Sequence, residues 1–219
     1  MTNVPIYSIR KYAPSDRNRI FEIGANTAFF GDPFEAYLDD RLIFVDAFYT
    51  YYTDLEPSGS WVACSDEKVV GFLTGCLNTR RYQRDLLRVI APIVIKNLFL
   101  GKYKIGKRSL SYFGVVSNEL FHANKYIIDY DIYPAHLHIN IEKSSRGNGL
   151  GHELIGQFLN QLSTAKVSGV HLLTTSENKI ARKLYEKMDF HLVWRKPNHF
   201  WTHFLGYEVV DLCYGRLVN

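Results

Sequence analysis

From Leu137 to Glu142 apolar and polar residues alternate singly. Leu137, Ile139 and Ile141 fall on one side of a period-two pattern and His138, Asn140 and Glu142 on the other, which predicts a strand with one face in a core. The period then changes. Glycines at 147, 149 and 151 interrupt the run, and Leu154, Ile155, Phe158, Leu159 and Leu162 follow at the spacing of one apolar helical face. Strand, glycine turn and helix meet at one junction.

Upstream, residues 6–10 predict a first strand, and Pro14-Ser15-Asp16 a turn into a helix carrying Ile20, Phe21, Ile23 and Ala28. Gly31-Asp32-Pro33 should break that helix. A second helix is expected over 34–52, with Leu38, Leu42, Val45 and Phe48 on one face. After a loop at 56–59, residues 60–64 and 69–77 predict a strand pair joined through Ser65-Asp66-Glu67-Lys68. Between Asn78 and Tyr130 the pattern is helical, first through Leu86, Leu87, Ile90, Ile93 and Val94 and then from about 109 to 122.

Downstream of the junction, residues 169–174 predict a fifth strand and 178–188 a short helix. The last strands are expected at 190–195 and 200–209, with Pro197-Asn198 as the turn between them. No internal repeat or low-complexity segment appears.

With 219 residues, 47% of them hydrophobic, the chain can bury a large core, and its length suits one domain with an insertion. The net charge of +4 is mild, and Lys and Arg read as spread along the chain rather than gathered in a stripe, so no nucleic-acid partner is expected. Cys64, Cys76 and Cys213 are odd in number and lack metal-ligand spacing, which predicts free thiols in a reducing compartment. No apolar leader is visible. The apolar run at 89–100 is broken by Pro92, Lys96 and Asn97 and is too short to span a bilayer, so a cytoplasmic protein without a membrane partner is expected.

The junction carries the candidate chemistry. A glycine turn opening a helix presents free backbone N–H groups and the positive end of a macrodipole to one point, which suits a phosphate. Arg146 adds a charge with donors matched to phosphate oxygens. No Gly-Lys-Ser/Thr follows, so the turn is not a Walker loop. It runs G-x-G-x-G without a βαβ unit around it, which departs from the dinucleotide fingerprint. A nucleotide-binding module using the same turn remains a third reading.

Arg146-x-x-Gly149-x-Gly151 resembles the pyrophosphate-binding turn of the GCN5-related N-acetyltransferase (GNAT) superfamily. Residues 178–190, Asn-Lys-Ile-Ala-Arg-Lys-Leu-Tyr-Glu-Lys-Met-Asp-Phe, are similar to its second signature, in which an Asn opens a helix and an Ala and a Tyr lie on the cofactor side. Asp189 stands where that signature usually has Gly. The resemblance covers about residues 133–195. A looser similarity, through YPAHLHI and GVHLLTTSEN, runs to acetyltransferases related to the acetyltransferase-like domain of O-GlcNAc hydrolases.

The resemblance implies an α/β (α+β) fold, with a central, mixed, mostly antiparallel twisted sheet of six to seven strands and helices on both faces. It makes 1–219 a single domain, with 78–130 a helical insertion between the third and fourth strands that shapes substrate access or covers a sheet face. It implies acetyl-CoA as cosubstrate and transfer of its acetyl group to a primary amine of a small molecule or peptide, by direct attack in a ternary complex. No cysteine in the motifs suggests an acyl-enzyme.

By the same resemblance the main chain of Ile139 and Ile141 should pair with the pantetheine arm, and a backbone N–H there should polarise the thioester carbonyl. The turn Arg146, Gly147, Asn148, Gly149, Leu150 and Gly151 should hold the diphosphate, with Asn178 and Ala181 on the cofactor side. Asn178 could cap its helix, bind the arm, or do both. Tyr185 is the candidate general acid, against the alternative of a core tyrosine. His138 is the first candidate base, ahead of His136, Asp131, Asp129 and Glu142, against the alternative of a structural histidine. His136 and His138 share a strand face, but no third ligand has metal spacing, so no metal is expected. The alternative function is a catalytically inactive acyl-CoA-binding or regulatory module of the same fold. The sequence leaves monomer and homodimer open.

Overall fold

The computed structural model describes residues 5–29, 33–122 and 128–218. Seven strands form one sheet: β1 (Tyr7–Lys11), β2 (Trp61–Ser65), β3 (Lys68–Cys76), β4 (Ala135–Ile141), β5 (Gly169–Thr175), β6 (His191–Asn198) and β7 (Val209–Leu217). Their spatial order is β1-β2-β3-β4-β5-β7-β6. Every neighbouring pair is antiparallel except β4 and β5, which run parallel. This is the mixed, mostly antiparallel sheet expected.

The β2–β3 connection is tighter than the four residues predicted. Ser65 pairs with Lys68, so only Asp66 and Glu67 turn, both at positive φ (46° and 70°). That conformation matches the right-handed twist of a hairpin.

Helices cover both faces. On one, α6 (Leu150–Thr164) buries Leu150, Leu154, Ile155, Phe158 and Leu162 against Ala63, Leu73, Ala135 and Leu137. On the other, α1 (Arg17–Asn26) and α2 (Arg41–Phe48) pack Ile20, Ile23, Phe44 and Val45 against Val62 and Phe72. Four fully buried side chains of α6, Leu154, Ile155, Phe158 and Leu162, each contribute about 1.5–3 kcal/mol of apolar burial, so this helix anchors the junction.

The single helix expected over 34–52 is divided. A 3₁₀ turn (Phe34–Ala36) precedes α2, and a π-turn (Tyr51–Leu55) follows it. Asp39 and Asp40 cause the break. Asp40 accepts from Leu42 N at 2.8 Å as the α2 cap and from Lys104 N at 2.7 Å, while Asp39 accepts from Gly106 N and from Ser109 N and Oγ, each at 2.9 Å. Carboxylates drawn into such bonds leave the helical path. Leu42 and Phe48 consequently stay exposed instead of joining Leu38 and Val45 inside. Of the expected breaker Gly31-Asp32-Pro33, the first two residues lie outside the described residues.

Between β3 and β4 run α3 (Thr79–Asp85), a π-turn (Leu86–Ile90), α4 (Ala91–Phe99) and α5 (Lys107–His122); residues 123–127 lie outside the described residues. Asn78 caps α3 by accepting from Arg81 N at 3.0 Å. The even spread of Lys and Arg does not hold: residues 79–108 carry nine of them against one acid, leaving 17 basic against 21 acidic elsewhere.

The C-terminal expectation is corrected. β6 continues through Pro197 and Asn198, residues 199–205 form a helix, α8 (His199–Leu205), and the last strand is β7. Pro197 is tolerated because β6 is the outer strand of the sheet, where a missing N–H costs no ladder bond. Asn198 is a cap, its Oδ1 accepting from Trp201 N at 2.6 Å, and Gly206 at φ 75° ends α8. The aromatic run Phe200, Trp201, Phe204 has strand composition but helical spacing.

Candidate active site

Parallel pairing of β4 with β5 is confined to Ala135↔Val170 and His136↔His171. Beyond His136 the strands part, β4 staying with β3 as far as Gly71↔Ile141 and β5 with β7 as far as Thr175↔Asp211. The wedge between them opens into a cleft of about 1000 Å³ that the glycine turn, α6 and α7 (Lys179–Lys187) close on one side.

A short 3₁₀ turn (Lys143–Ser145) carries the chain from β4 to the glycines. Gly147 has φ 85° and Gly149, which caps α6, φ 79°. A methyl built on either meets no protein atom within 4 Å, so their backbone faces open space in a conformation other residues adopt at a cost. Gly151 answers a different need: a Cβ there would lie 2.8 Å from Leu184 Cδ2, so glycine lets α6 and α7 approach.

The cleft gathers Ile139, Ile141, Arg146, Gly147, Gly149, Leu150, Gly151, Asn178 and Ala181, nine of the predicted site residues. Asn148 is not among its lining. Its Nδ2 turns back to donate to Ser145 O at 3.1 Å, bracing the turn. Asn178 makes no side-chain capping bond to α7. Arg146 Nε donates to Ile141 O at 3.0 Å, while its Nη groups make none of the described hydrogen bonds.

Neither predicted catalytic side chain lines the cleft. Tyr185 lies one turn beyond Ala181 on α7 and is 5% exposed, its ring 6.1 Å from that of Phe190 and 6.0 Å from that of Tyr214. Burial raises its pKa, and its hydroxyl makes none of the described hydrogen bonds. His138 is on the opposite face of β4, with ring centroids of Phe48, Tyr52 and His136 at 6.1, 5.8 and 5.7 Å. Burial, assisted by the nearby His171, pushes it down to about 4. It too makes none of the described hydrogen bonds. Asn140, two residues along the same face, does line the cleft, and its Nδ2 donates to Thr27 Oγ1 at 2.8 Å.

The other candidate bases are occupied or remote. Thr79 Oγ1 donates to Pro134 O at 2.8 Å, so at 2.8 Å it can only accept from His136 Nδ1, and His136 Nε2 then accepts from Tyr52 at 2.6 Å. Both ring nitrogens are satisfied in one neutral tautomer, and burial holds the pKa well below the ordinary range. Glu142 accepts from Arg19 Nη2 at 2.5 Å, Asp129 from Asp131 N at 2.9 Å, and Asp131 pairs with Arg80 at 3.2 Å. Among the described residues no group of three or more His, Cys, Asp or Glu is arranged to hold a metal ion.

Sequence reasoning missed several walls. Thr27 and Ala28, past the end of α1, and Trp201 of α8 line the cleft from the Asn140 side, and Lys179 and Lys187 line it from α7. The lysines at i and i+8 on a predicted helix were a readable signal. Trp201 was hidden by the misassigned strand. Among the described side chains of 78–116 none lines the cleft; Tyr112 of α5 comes near it, its ring 5.0 Å from that of Phe200 beside Trp201.

Residues 130–209 match the model of the acetyltransferase (GNAT) domain family. Among solved structures, that of SsHAT is 26% identical, with a TM-score of 0.75 over 98% of this chain and 100% of that one. An N-acetyltransferase from Staphylococcus aureus Mu50 is 14% identical, with a TM-score of 0.57 over 98% and 99% of the two chains. A GNAT superfamily phosphinothricin acetyltransferase from Sinorhizobium meliloti, in complex with acetyl-CoA, is 11% identical, with a TM-score of 0.56 over 97% and 89%. No curated protein sequence matches. The parted strands and the glycine turn at a helix start fall within the segment that matches the acetyltransferase (GNAT) domain, and the fold of the whole chain is similar to that of SsHAT and of solved acetyltransferases.

Proposed function

We propose that the protein transfers an acetyl group from acetyl-CoA to a primary amine of a small molecule or peptide, by direct attack in a ternary complex. The observation that carries this reading is the wedge between β4 and β5 meeting the glycine turn in one cleft of about 1000 Å³. The residues present fit the cosubstrate. Backbone at Gly147 and Gly149 is open to an anion, α6 adds the positive end of its dipole, and Arg146, Lys179 and Lys187 supply charge for a diphosphate. The parted edge of β4 at Ile139 and Ile141 offers main-chain groups to an amide-bearing arm. A cytoplasmic setting is supported by three buried free cysteines.

In this reading Tyr185 donates the proton that the departing thiolate needs. Its raised pKa keeps the hydroxyl protonated at neutral pH, and no described hydrogen bond competes for it. His138 takes the ammonium proton through water from the Asn140 side. Its depressed pKa leaves the imidazole free to accept at neutral pH, though as a weak base.

Thermal denaturation with and without ligand tests the reading, because a ligand that binds only the folded state must raise its stability. Acetyl-CoA should raise the melting temperature where ATP and NAD do not, and thiol release should follow when amines are added. Absence of a shift at millimolar acetyl-CoA overturns the assignment of the cleft. A shift without release for any amine overturns the catalytic part alone.

A further inference from the structure

We propose that α4 and the turn after it are a docking surface for an anionic membrane, on which the protein rests peripherally. Over residues 86–107 the sequence has five basic side chains, Arg88, Lys96, Lys102, Lys104 and Lys107, and no acidic one. The same stretch holds six large apolar side chains in solvent: Leu87 at 73%, Ile93 at 41%, Ile95 at 52%, Leu98 at 42%, Phe99 at 86% and Leu100 at 60% exposure. α4 buries none of its own residues. The opposite side of this segment supplies the attachment, through Leu86, Ile90 and Val94 against Tyr51, Tyr52, Tyr82 and Cys76.

Charge and shape together choose the occupant. At about 100° per residue, the exposed positions of α4 from Leu98 through Ile95, Phe99, Pro92 and Lys96 to Ile93 sweep about 220° of the helix. A flat protein partner covers a stripe, whereas fluid headgroups and acyl chains close around a helix on more than one side. Apolar side chains beside Lys and Arg, with no acid in the segment itself and the neighbouring Asp39, Asp40 and Asp46 engaged by Gly106 N, Lys104 N and Tyr103 OH, are what an interfacial helix presents to anionic lipid. Among the described residues no helix is long and apolar enough to cross a membrane, so the contact is a surface one. Because no residue of 86–107 lines the cleft, docking through this segment leaves the cleft open.

The test is co-sedimentation of the full chain with phosphatidylcholine vesicles, with and without phosphatidylglycerol. Binding is expected to the anionic vesicles, to weaken with added salt and to be slight on phosphatidylcholine alone. Ile95→Asp/Phe99→Asp should abolish it. Lys96→Gln/Lys102→Gln/Lys104→Gln should weaken it by about two orders of magnitude. Both variants change exposed side chains outside the cleft, so melting temperature and the acetyl-CoA shift should match the parent chain, which separates loss of docking from loss of fold or of the cleft assignment. The proposal is overturned if anionic vesicles are not bound, or are bound no better than neutral ones. It is equally overturned if the chain binds polyglutamate but not vesicles, the mark of an acidic protein partner, or forms a dimer that the apolar variant dissolves while vesicles stay unbound.

Discussion

The one hydroxyl proton of Thr79 decides the state of His136. Spent on Pro134 O, it leaves His136 a donor at Nδ1 and an acceptor at Nε2, with nothing left for substrate. His138, one pleat further along, keeps both nitrogens out of the described network. A sequence with two histidines on one strand face cannot say which is spent, because the answer lies in Tyr52 and Thr79, remote in the chain. All three histidines of this layer, His136, His138 and His171, have pKa values lowered mainly by burial. Between the ordinary 6.5 and about 4 the unfolded chain takes up protons that folded His138 does not, so this contribution is whole above 6.5 and fades as the solution is acidified. Urea midpoints should therefore fall on going from pH ~7 to ~5, and less steeply in His138→Gln. For Tyr185→Phe, steady-state kinetics should show kcat lowered by about 100-fold with acetyl-CoA affinity little changed; unchanged turnover removes the residue from the acid role.

Elements that bury one face were legible from periodicity. β1, the β2–β3 pair, β4, α6, β5 and α7 all fall within a few residues of the pattern's prediction, because in each the core imposes period two or 3.6 directly. Where polar side chains set the backbone, the pattern misled: Asp39 and Asp40 divide one expected helix, and Asn198 starts another inside an expected strand. The cleft was legible as far as the glycine turn and α7 define it. Its Thr27 and Trp201 walls come from distant segments and left no local mark. Asp189, at φ 58°, ends α7 in the conformation where glycine is usual. Replacing it relieves a cost of about 1–2 kcal/mol, partly offset by the greater freedom of glycine in the unfolded chain. Asp189→Gly should thus stabilise by about 0.5 kcal/mol, visible as a higher urea midpoint at an unchanged slope.

At the scale of the molecule the chain segregates its tasks. The cleft opens where the sheet divides, the histidine layer lies under α2 and α3, and the apolar α4 points outward beyond it. The first four strands and the last three form two blades that share a hem of two residue pairs. Such a garment is weakest along its open seam. Amide hydrogens of β4 from Ile139 onward should exchange with deuterium sooner than those of Ala135 and His136, and a thiol ligand that laces the seam should slow them to match; equal protection along the whole strand before any ligand is added would mean the blades do not flex independently.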